Sequence, residues 1–355
     1  LEFATDGRVW RETVLLEKAT HTFHFPSREC PRAVLFDPDG VLLKRLIVRR
    51  GVEELLWILK HAKGLWPRME ACAALGRSHE DDRAVTALEE TLGRDASWPV
   101  RRAAAAALGE IRTGAARDAL LRSVDDEDSR VRSAIYRALG RFRKDDLVFK
   151  ALATAYREDG KFYPMAAAGA ALGEARHPEA FEAIVRDMDR SSPAEVIADH
   201  AAQGLVALRD ERGIGVLMER TRYGEPALRR SGAAVALGRL GRALEDRRFD
   251  VLEHLVGLTK DPDPRTKLAA IEGLGELGST EGIAPLEKVY EGEVLWSYKK
   301  RARRALRKIR EARSEREHAL EQQRALDSLQ DEDWELRRRI ASLESRLDGL
   351  TKSRK

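Results

Sequence analysis

The string HEDDR, residues 79–83, is the nearest this sequence comes to HExxH. In that pattern two histidines one helical turn apart bind zinc and the glutamate between them serves as the base. The second histidine is missing here, and the string falls in a polar turn between two apolar helical stretches, so we expect it at the surface. The eight histidines, at 21, 24, 61, 79, 177, 200, 254 and 318, have no metal-ligand spacing. His21 and His24 would lie on opposite faces of a strand. There is no GxSxG, no Walker loop and no GxGxxG after a strand. GRLGRALEDRR follows a helical run, so its glycines are not a phosphate cradle. Cys72, inside MEACAALG, reads as a buried small thiol, and nothing in the spacing to Cys30 supports a disulfide. No recognisable catalytic site is present.

Two groups of cations remain as candidates for binding. Residues 299–310 carry eight basic residues and no acid, beside Trp296 and Tyr298. Such a cluster could grip phosphates or single-stranded nucleic acid. The favoured reading is a solvated outer face on a capping helix, because acids crowd the sequence just downstream. The overall balance agrees: 64 basic against 60 acidic residues leave a net charge of only +4, so nucleic acid is not the expected partner. The second group is a set of arginines that open successive apolar runs: Arg101, Arg132, Arg230 and Arg265. We expect them to pair with acids of the preceding turns, such as Asp125, Asp128, Asp261 and Asp263, as a ladder. The competing use is peptide or partner binding, for which Arg132, Arg230 and Lys267 are the candidates.

What must position these residues is a repeat. Aligning the LG strings gives Leu75, Leu108, Leu139, Leu172, Leu205, Leu237, Leu274 and Leu306, separated by 33, 31, 33, 33, 32, 37 and 32 residues. Val206 and Arg307 take the glycine's place in the fifth and eighth units. A period in the thirties signals stacked supersecondary units, none able to bury its apolar face alone. Each unit reads as an alanine-rich helix such as 100–111, a polar turn, and a second helix such as 117–124. The longest spacing contains GRALEDRRFD (241–250), a longer turn. The expected fold is mainly α: a HEAT-like α-solenoid of about eight helical repeats over residues 51–310.

The ends differ. RVWRETVLLE, THTFHFPS and RAVLFDPDGVLLKRLIV carry β-branched and aromatic residues with rough alternation, and DPDG is a turn. Residues 1–50 therefore read as four antiparallel strands, a partial β-sandwich segment. The start LEFATDGRVW reads as the middle of a protein, so we expect a truncated chain, and favour a cytoplasmic location. From residue 311 a charged helical tail keeps a heptad register. Ala319, Leu326, Asp333, Ile340 and Leu347 fall at a; Gln322, Leu329, Leu336, Leu343 and Leu350 fall at d. A parallel homodimer through residues 319–350 would set Glu332 against Arg337 and Arg339 against Glu344. No apolar run is long enough to cross a membrane.

The order β segment, linker helix, solenoid resembles the C-terminal region of aminopeptidase N-type zinc peptidases (peptidase family M-one), bacterial HEAT-repeat members. The strings that carry the resemblance are FHFPSRECPRAVLFDPDGVLLKRLIVRRGVEELLWILKHA, ASWPVRRAAAAALG, RYGEPALRRSGAAVALG and DPDPRTKLAAIEGLGELG. The resemblance implies a non-catalytic end of such an enzyme, whose helical region shapes a substrate chamber. Zinc is then expected in a catalytic domain outside this chain, and peptides on the concave face. The family's zinc helix and its GxMEN motif have no counterpart here. The alternative is a self-standing HEAT-repeat scaffold that binds a protein partner.

Overall fold

The computed structural model describes residues 1–77, 81–314 and 322. Three short strands open the chain: β1 (Glu2–Ala4), β2 (Val9–Arg11) and β3 (Ala33–Leu35). They form an antiparallel sheet in the order β2-β1-β3, with Phe3 opposite Trp10 on one side and Val34 on the other. Phe3 stacks on Trp10 at 5.2 Å between ring centroids.

Everything described beyond residue 51 is helical or turn. The N-terminal unit, Leu1–Ala236, holds α1 (Val52–His61), α2 (Leu65–Leu75), α3 (Asp82–Arg94), α4 (Trp98–Ile111), α5 (Gly114–Arg122) and α6 (Ser129–Leu139). It continues with α7 (Asp146–Glu158), α8 (Phe162–Ala175), α9 (Ala180–Asp187), α10 (Val196–Leu208) and α11 (Arg212–Arg220). Helix α12 (Ala227–Ala243) runs past the end of this unit. The C-terminal unit, from Leu237, holds α13 (Arg248–Leu258), α14 (Pro264–Leu277), α15 (Ile283–Gly292) and a last helical stretch over residues 296–314, here α16. The chain is a HEAT-like α-solenoid: each LG leucine sits in an even-numbered helix, and α2, α4, α6, α8 and α10 pack in succession.

Local chemistry explains where the helices begin. Asp81, Asp128, Asp145 and Asp263 each accept a hydrogen bond from a backbone N–H of the first turn that follows, as Thr113 does. Each such cap satisfies a donor that has no partner within the helix. The 241–250 turn is shorter than expected, because α12 extends to Ala243 and one 3-10 turn, Glu245–Arg247, leads into α13.

Packing explains the LG string itself. The leucines from Leu75 to Leu274 are fully buried, and Leu306 nearly so. The glycine that follows six of the eight leucines lies against the residue that precedes the next one. A Cβ on Gly76 would stand 2.9 Å from Ala107 Cα, one on Gly109 2.7 Å from Ala138 Cβ, and one on Gly140 3.0 Å from Ala171 Cα. At Gly173 the distance to the Gly204 carbonyl oxygen falls to 1.9 Å, and at Gly238 that to the Gly273 oxygen is 2.1 Å. Small residues on both sides of the leucine let neighbouring helices approach to backbone contact, which repays stacking with close dispersion contacts.

One buried hydroxyl is left over. Tyr156 is 1% exposed, and its hydroxyl has no hydrogen-bond partner among the described residues. Its ring packs on Gly169, whose Cβ would meet Tyr156 Cε2 at 2.7 Å. A buried hydroxyl without a partner costs on the order of 1–3 kcal/mol. Tyr156→Phe keeps the ring and removes that cost, so its melting temperature should equal or exceed that of the parent; a lower value would reveal a partner for the hydroxyl.

Two expectations need correction, and the reading of the cysteines holds. The N-terminal segment has three strands and not four: β1 precedes the expected ones, residues 20–27 form none, and residues 41–48 take no strand partner, because the outer edge of β3 is already closed by side chains of Arg50 and Glu54. His21 lies outside any strand; its Nε2 accepts from the backbone N–H groups of Glu17 and Lys18 at 2.9 and 2.7 Å. Both cysteines are free thiols; Cys30 is exposed, while burial pushes the Cys72 thiol up to about 12. The candidate coiled coil, and His79 and Glu80 of HEDDR, lie outside the described residues.

Candidate protein-interaction surface

The cations singled out from sequence occupy one register, seven residues before the landmark leucine. Arg68, Arg101, Arg132, Arg230, Lys267 and Lys299 stand there in α2, α4, α6, α12, α14 and α16. Arg265, expected in the series, is exposed one turn away from it. The ladder runs opposite to the expected direction, because Arg68, Arg101 and Arg132 reach forward to their carboxylates. Arg101 donates from Nε and Nη2 to both carboxylate oxygens of Asp126, at 2.9 and 3.0 Å, and from Nη1 to the Asp95 carbonyl at 3.0 Å. Arg132 repeats the pattern one unit on, with Asp159 at 2.8 and 2.9 Å and the Asp126 carbonyl at 2.8 Å. Arg68 pairs with Asp95 through Nη1 alone and donates from Nε to the Gly64 carbonyl at 3.3 Å. The acids named from sequence have another use: Asp128 caps α6 and binds Arg130, which holds its carboxyl down at about 2.

Each ladder aspartate also fixes its own turn. Asp95, Asp126 and Asp159 accept the backbone N–H two residues on, at 2.8, 2.8 and 3.0 Å. One side chain thus ties the arginine of one repeat to the turn of the next. Burial alone would raise the Asp159 carboxyl; the hydrogen bonds from Arg132 and the Lys161 N–H outweigh it and hold the group below its ordinary value. Tyr136 adds a hydroxyl donor to Asp159 at 3.1 Å, and burial together with that carboxylate pushes the phenol up.

The three candidate site cations are therefore engaged within the chain. Arg132 lines an open hollow of about 650 Å³ with Asp125, Tyr136, Lys150 and Thr154, but its guanidinium points into the ladder. Arg230 is buried and donates from Nε to the Thr221 carbonyl at 2.9 Å. Lys267 pairs with Glu293 and lies over the Tyr298 ring at 4.8 Å. The structure does not bring the three together at a common site.

Sequence reasoning missed two arginines. Where the ladder position holds Met165, Arg190 comes from the following turn, donating to the Arg157 carbonyl at 2.6 Å. Arg229 binds Glu195 at 2.8 and 3.1 Å, steadying a turn in which Ala194 and Glu195 both have positive φ. The only sequence signal was the loss of arginine at positions 165 and 198. In α16, Lys308 pairs with Glu276 at 2.7 Å, Arg310 with Glu287 at 2.9 Å, and Arg301 with Glu272. Much of the basic cluster is thus matched by acids of its own unit.

What stays open is aromatic. Trp66 lies in the first turn of α2, Trp98 opens α4, Phe162 and Tyr163 open α8, and Tyr223 lies in the turn before α12. Because the even-numbered helices stack side by side, their first turns share one edge of the N-terminal unit. Tyr163 is 72% and Tyr223 84% exposed; Trp98 is flanked by Arg130 at 3.6 Å and Arg102 at 5.4 Å from its ring. Tryptophan, tyrosine and arginine are the residue types that concentrate binding energy at protein interfaces. No group of three or more His, Cys, Asp or Glu among the described residues could hold a metal ion, and none of the described helices is long and apolar enough to cross a membrane.

Comparison with known proteins places the repeat. A family model described as HEAT repeats matches residues 86–163 and 236–307. No curated protein matches the sequence. Among solved structures, the complex of CpcE and CpcF of phycocyanin lyase from Nostoc sp. PCC7120 is 21% identical, covering 76% of this chain and 98% of that one, with a TM-score of 0.43. Kap121p bound to Pho4p is 14% identical over 72% of this chain and 33% of that one, with a TM-score of 0.42. Human deoxyhypusine hydroxylase in complex with glycerol is 18% identical over 64% and 96%, with a TM-score of 0.31.

These findings overturn the resemblance to aminopeptidase N-type zinc peptidases, and with it the reading of this chain as the chamber-forming end of such an enzyme. The first of the strings that suggested it covers β3 and α1, and the other three lie in the stacked even-numbered helices. ASWPVRRAAAAALG is a ladder aspartate's turn, a ladder arginine and a close-packed helix face, a combination that helical repeats share whatever their function. The zinc expectation concerned residues outside this chain and rested on that resemblance alone.

Proposed function

We propose that this chain is a HEAT-like scaffold that binds another protein along the edge where the even-numbered helices begin. The observation that carries this reading is the row of exposed aromatic residues there, Trp66, Tyr163 and Tyr223 above all, beside a ladder whose cations are already paired. The ladder stiffens the stack, and the aromatic side chains supply large contact areas at low entropic cost on binding. Arg132, Arg230 and Lys267 act in this reading by holding the repeats in register beneath the contact edge.

A photo-crosslinking residue at position 163 identifies the partner, which is then purified and titrated against the chain by calorimetry. Tyr163→Ala and Tyr223→Ala should each weaken binding about tenfold or more, or about 1.4 kcal/mol, with the melting temperature unchanged. Unaltered affinity in both variants would overturn the assignment to this edge.

A further inference from the structure

Residues 41–49, VLLKRLIVR, have the composition of a strand and no strand to pair with. Among the described residues, the backbone of 43–49 makes no hydrogen bond, although unpaired N–H and C=O groups readily template a further strand. The segment is nonetheless held at both ends. At its start the Asp37 carboxylate, kept down at about 2 by Lys44 and by the Leu42 and Val41 N–H groups, accepts from those two N–H groups at 2.9 and 3.0 Å. At its end Arg50 pairs with Glu54 and donates to the Val34 carbonyl at 2.8 Å.

From Leu43 to Ile47 the side chains alternate as a strand's do, while Leu42 and Val48 are 54% and 51% exposed. Leu46, Val48 and Arg50 line a small hollow of about 160 Å³ with Leu35, Leu55, Ile58 and Pro67. The odd positions face water: Val41 is 81%, Leu43 107% and Ile47 79% exposed, with Arg45 and Arg49 exposed beside them and without an acidic partner among the described residues. That face is apolar, apolar, cationic, apolar, cationic. The edge of β3 is closed by Glu54 and Arg50, so a strand for this segment must come from elsewhere.

We propose that residues 41–49 are a docking strand, completed by an extended segment of a partner protein that carries apolar residues opposite Val41, Leu43 and Ile47 and carboxylates opposite Arg45 and Arg49. Backbone pairing supplies the attachment, and the two free cations select the acidic partner and its register. This goes beyond the scaffold reading and is independent of it, since it uses none of the aromatic edge.

The test uses the full chain and the labelled peptide Glu-Thr-Val-Thr-Glu-Thr-Val-Thr-Val, which in antiparallel register sets glutamate against Arg49 and Arg45 and valine against Ile47, Leu43 and Val41, with fluorescence anisotropy and amide hydrogen exchange. The peptide should bind saturably and slow exchange at residues 43–49 at least tenfold. Arg45→Glu with Arg49→Glu should weaken binding at least tenfold, and a peptide with lysine for glutamate should restore it. Binding that ignores the charge reversal, or unchanged exchange at 43–49, would overturn the proposal. Protection that grows with protein concentration in the absence of peptide would overturn it in favour of self-pairing. Protection by phosphatidylserine vesicles and not by the peptide would overturn it in favour of a lipid surface.

Discussion

Alanine at Gly173 destabilises the N-terminal unit by about 3 kcal/mol, whereas alanine at Gly215 stabilises the same unit by about 0.5–1 kcal/mol. Both glycines sit inside helices, α8 and α11, and on helix propensity alone both substitutions should help. The surroundings reverse the sign at one of them. A Cβ at Gly173 would fall 1.9 Å from the Gly204 carbonyl oxygen and 2.6 Å from Gly204 Cα, so the backbones of α8 and α10 must move apart. No flexible side chain can yield there, because the obstructing atoms are main chain. Around Gly215, nothing lies within 4 Å of the added carbon, and only the entropy of the unfolded chain changes. Thermal unfolding of the two variants should show Tm shifts of roughly −6 to −12 °C and +1 to +4 °C. A neutral Gly173→Ala would mean that the LG glycines mark something other than close helix stacking.

The same contrast shows why the repeat was legible in sequence. The spacing of the LG leucines follows from geometry that every unit must satisfy: a fully buried leucine flanked by residues small enough for backbone contact, such as Ala107 and Gly109 around Leu108. A constraint repeated eight times leaves a pattern that no single unit could. The direction of the ladder left none. Asp125, Asp126, Glu127 and Asp128 are consecutive acids, and only the turn conformation decides that Asp126 receives Arg101 while Asp128 caps α6. Residues 41–48 misled for a related reason: their composition favours a strand, but strand pairing depends on a neighbour's free edge, which Arg50 and Glu54 occupy. The aromatic edge was hidden because Trp66, Tyr163 and Tyr223 lie far apart in sequence, each at or just before the start of a different even-numbered helix. Stacking strings shared by unrelated solenoids also contributed to the misplaced peptidase resemblance.

Asp159→Ala should cost about 3 kcal/mol, the lower end for breaking a buried ion pair, because it strands several donors at once. The Asp159 side chain is 4% exposed and that of Arg132 16%; Tyr136 OH and the Lys161 N–H bond the same carboxylate. Removing the acid leaves a guanidinium with only the Asp126 and Glu127 carbonyls, at 2.8 and 3.3 Å, beside a phenol whose remaining acceptor is the Val124 carbonyl at 3.3 Å. By contrast, Glu127→Ala should change stability by less than about 0.5 kcal/mol, since Glu127 is 88% exposed and its 3.3 Å contact with Arg101 is screened by water. The pH dependence carries a definite sign. The folded-state pKa of Asp159 is depressed, so its contribution is present above the unfolded value near 4 and is lost as pH falls through the folded one. Urea titrations of the parent and of Asp159→Asn should therefore differ most at pH 6 and converge as pH approaches 2. A gap that stays constant over that range would show that the ladder acts through shape and hydrogen bonding, with no contribution from the charge of its aspartate.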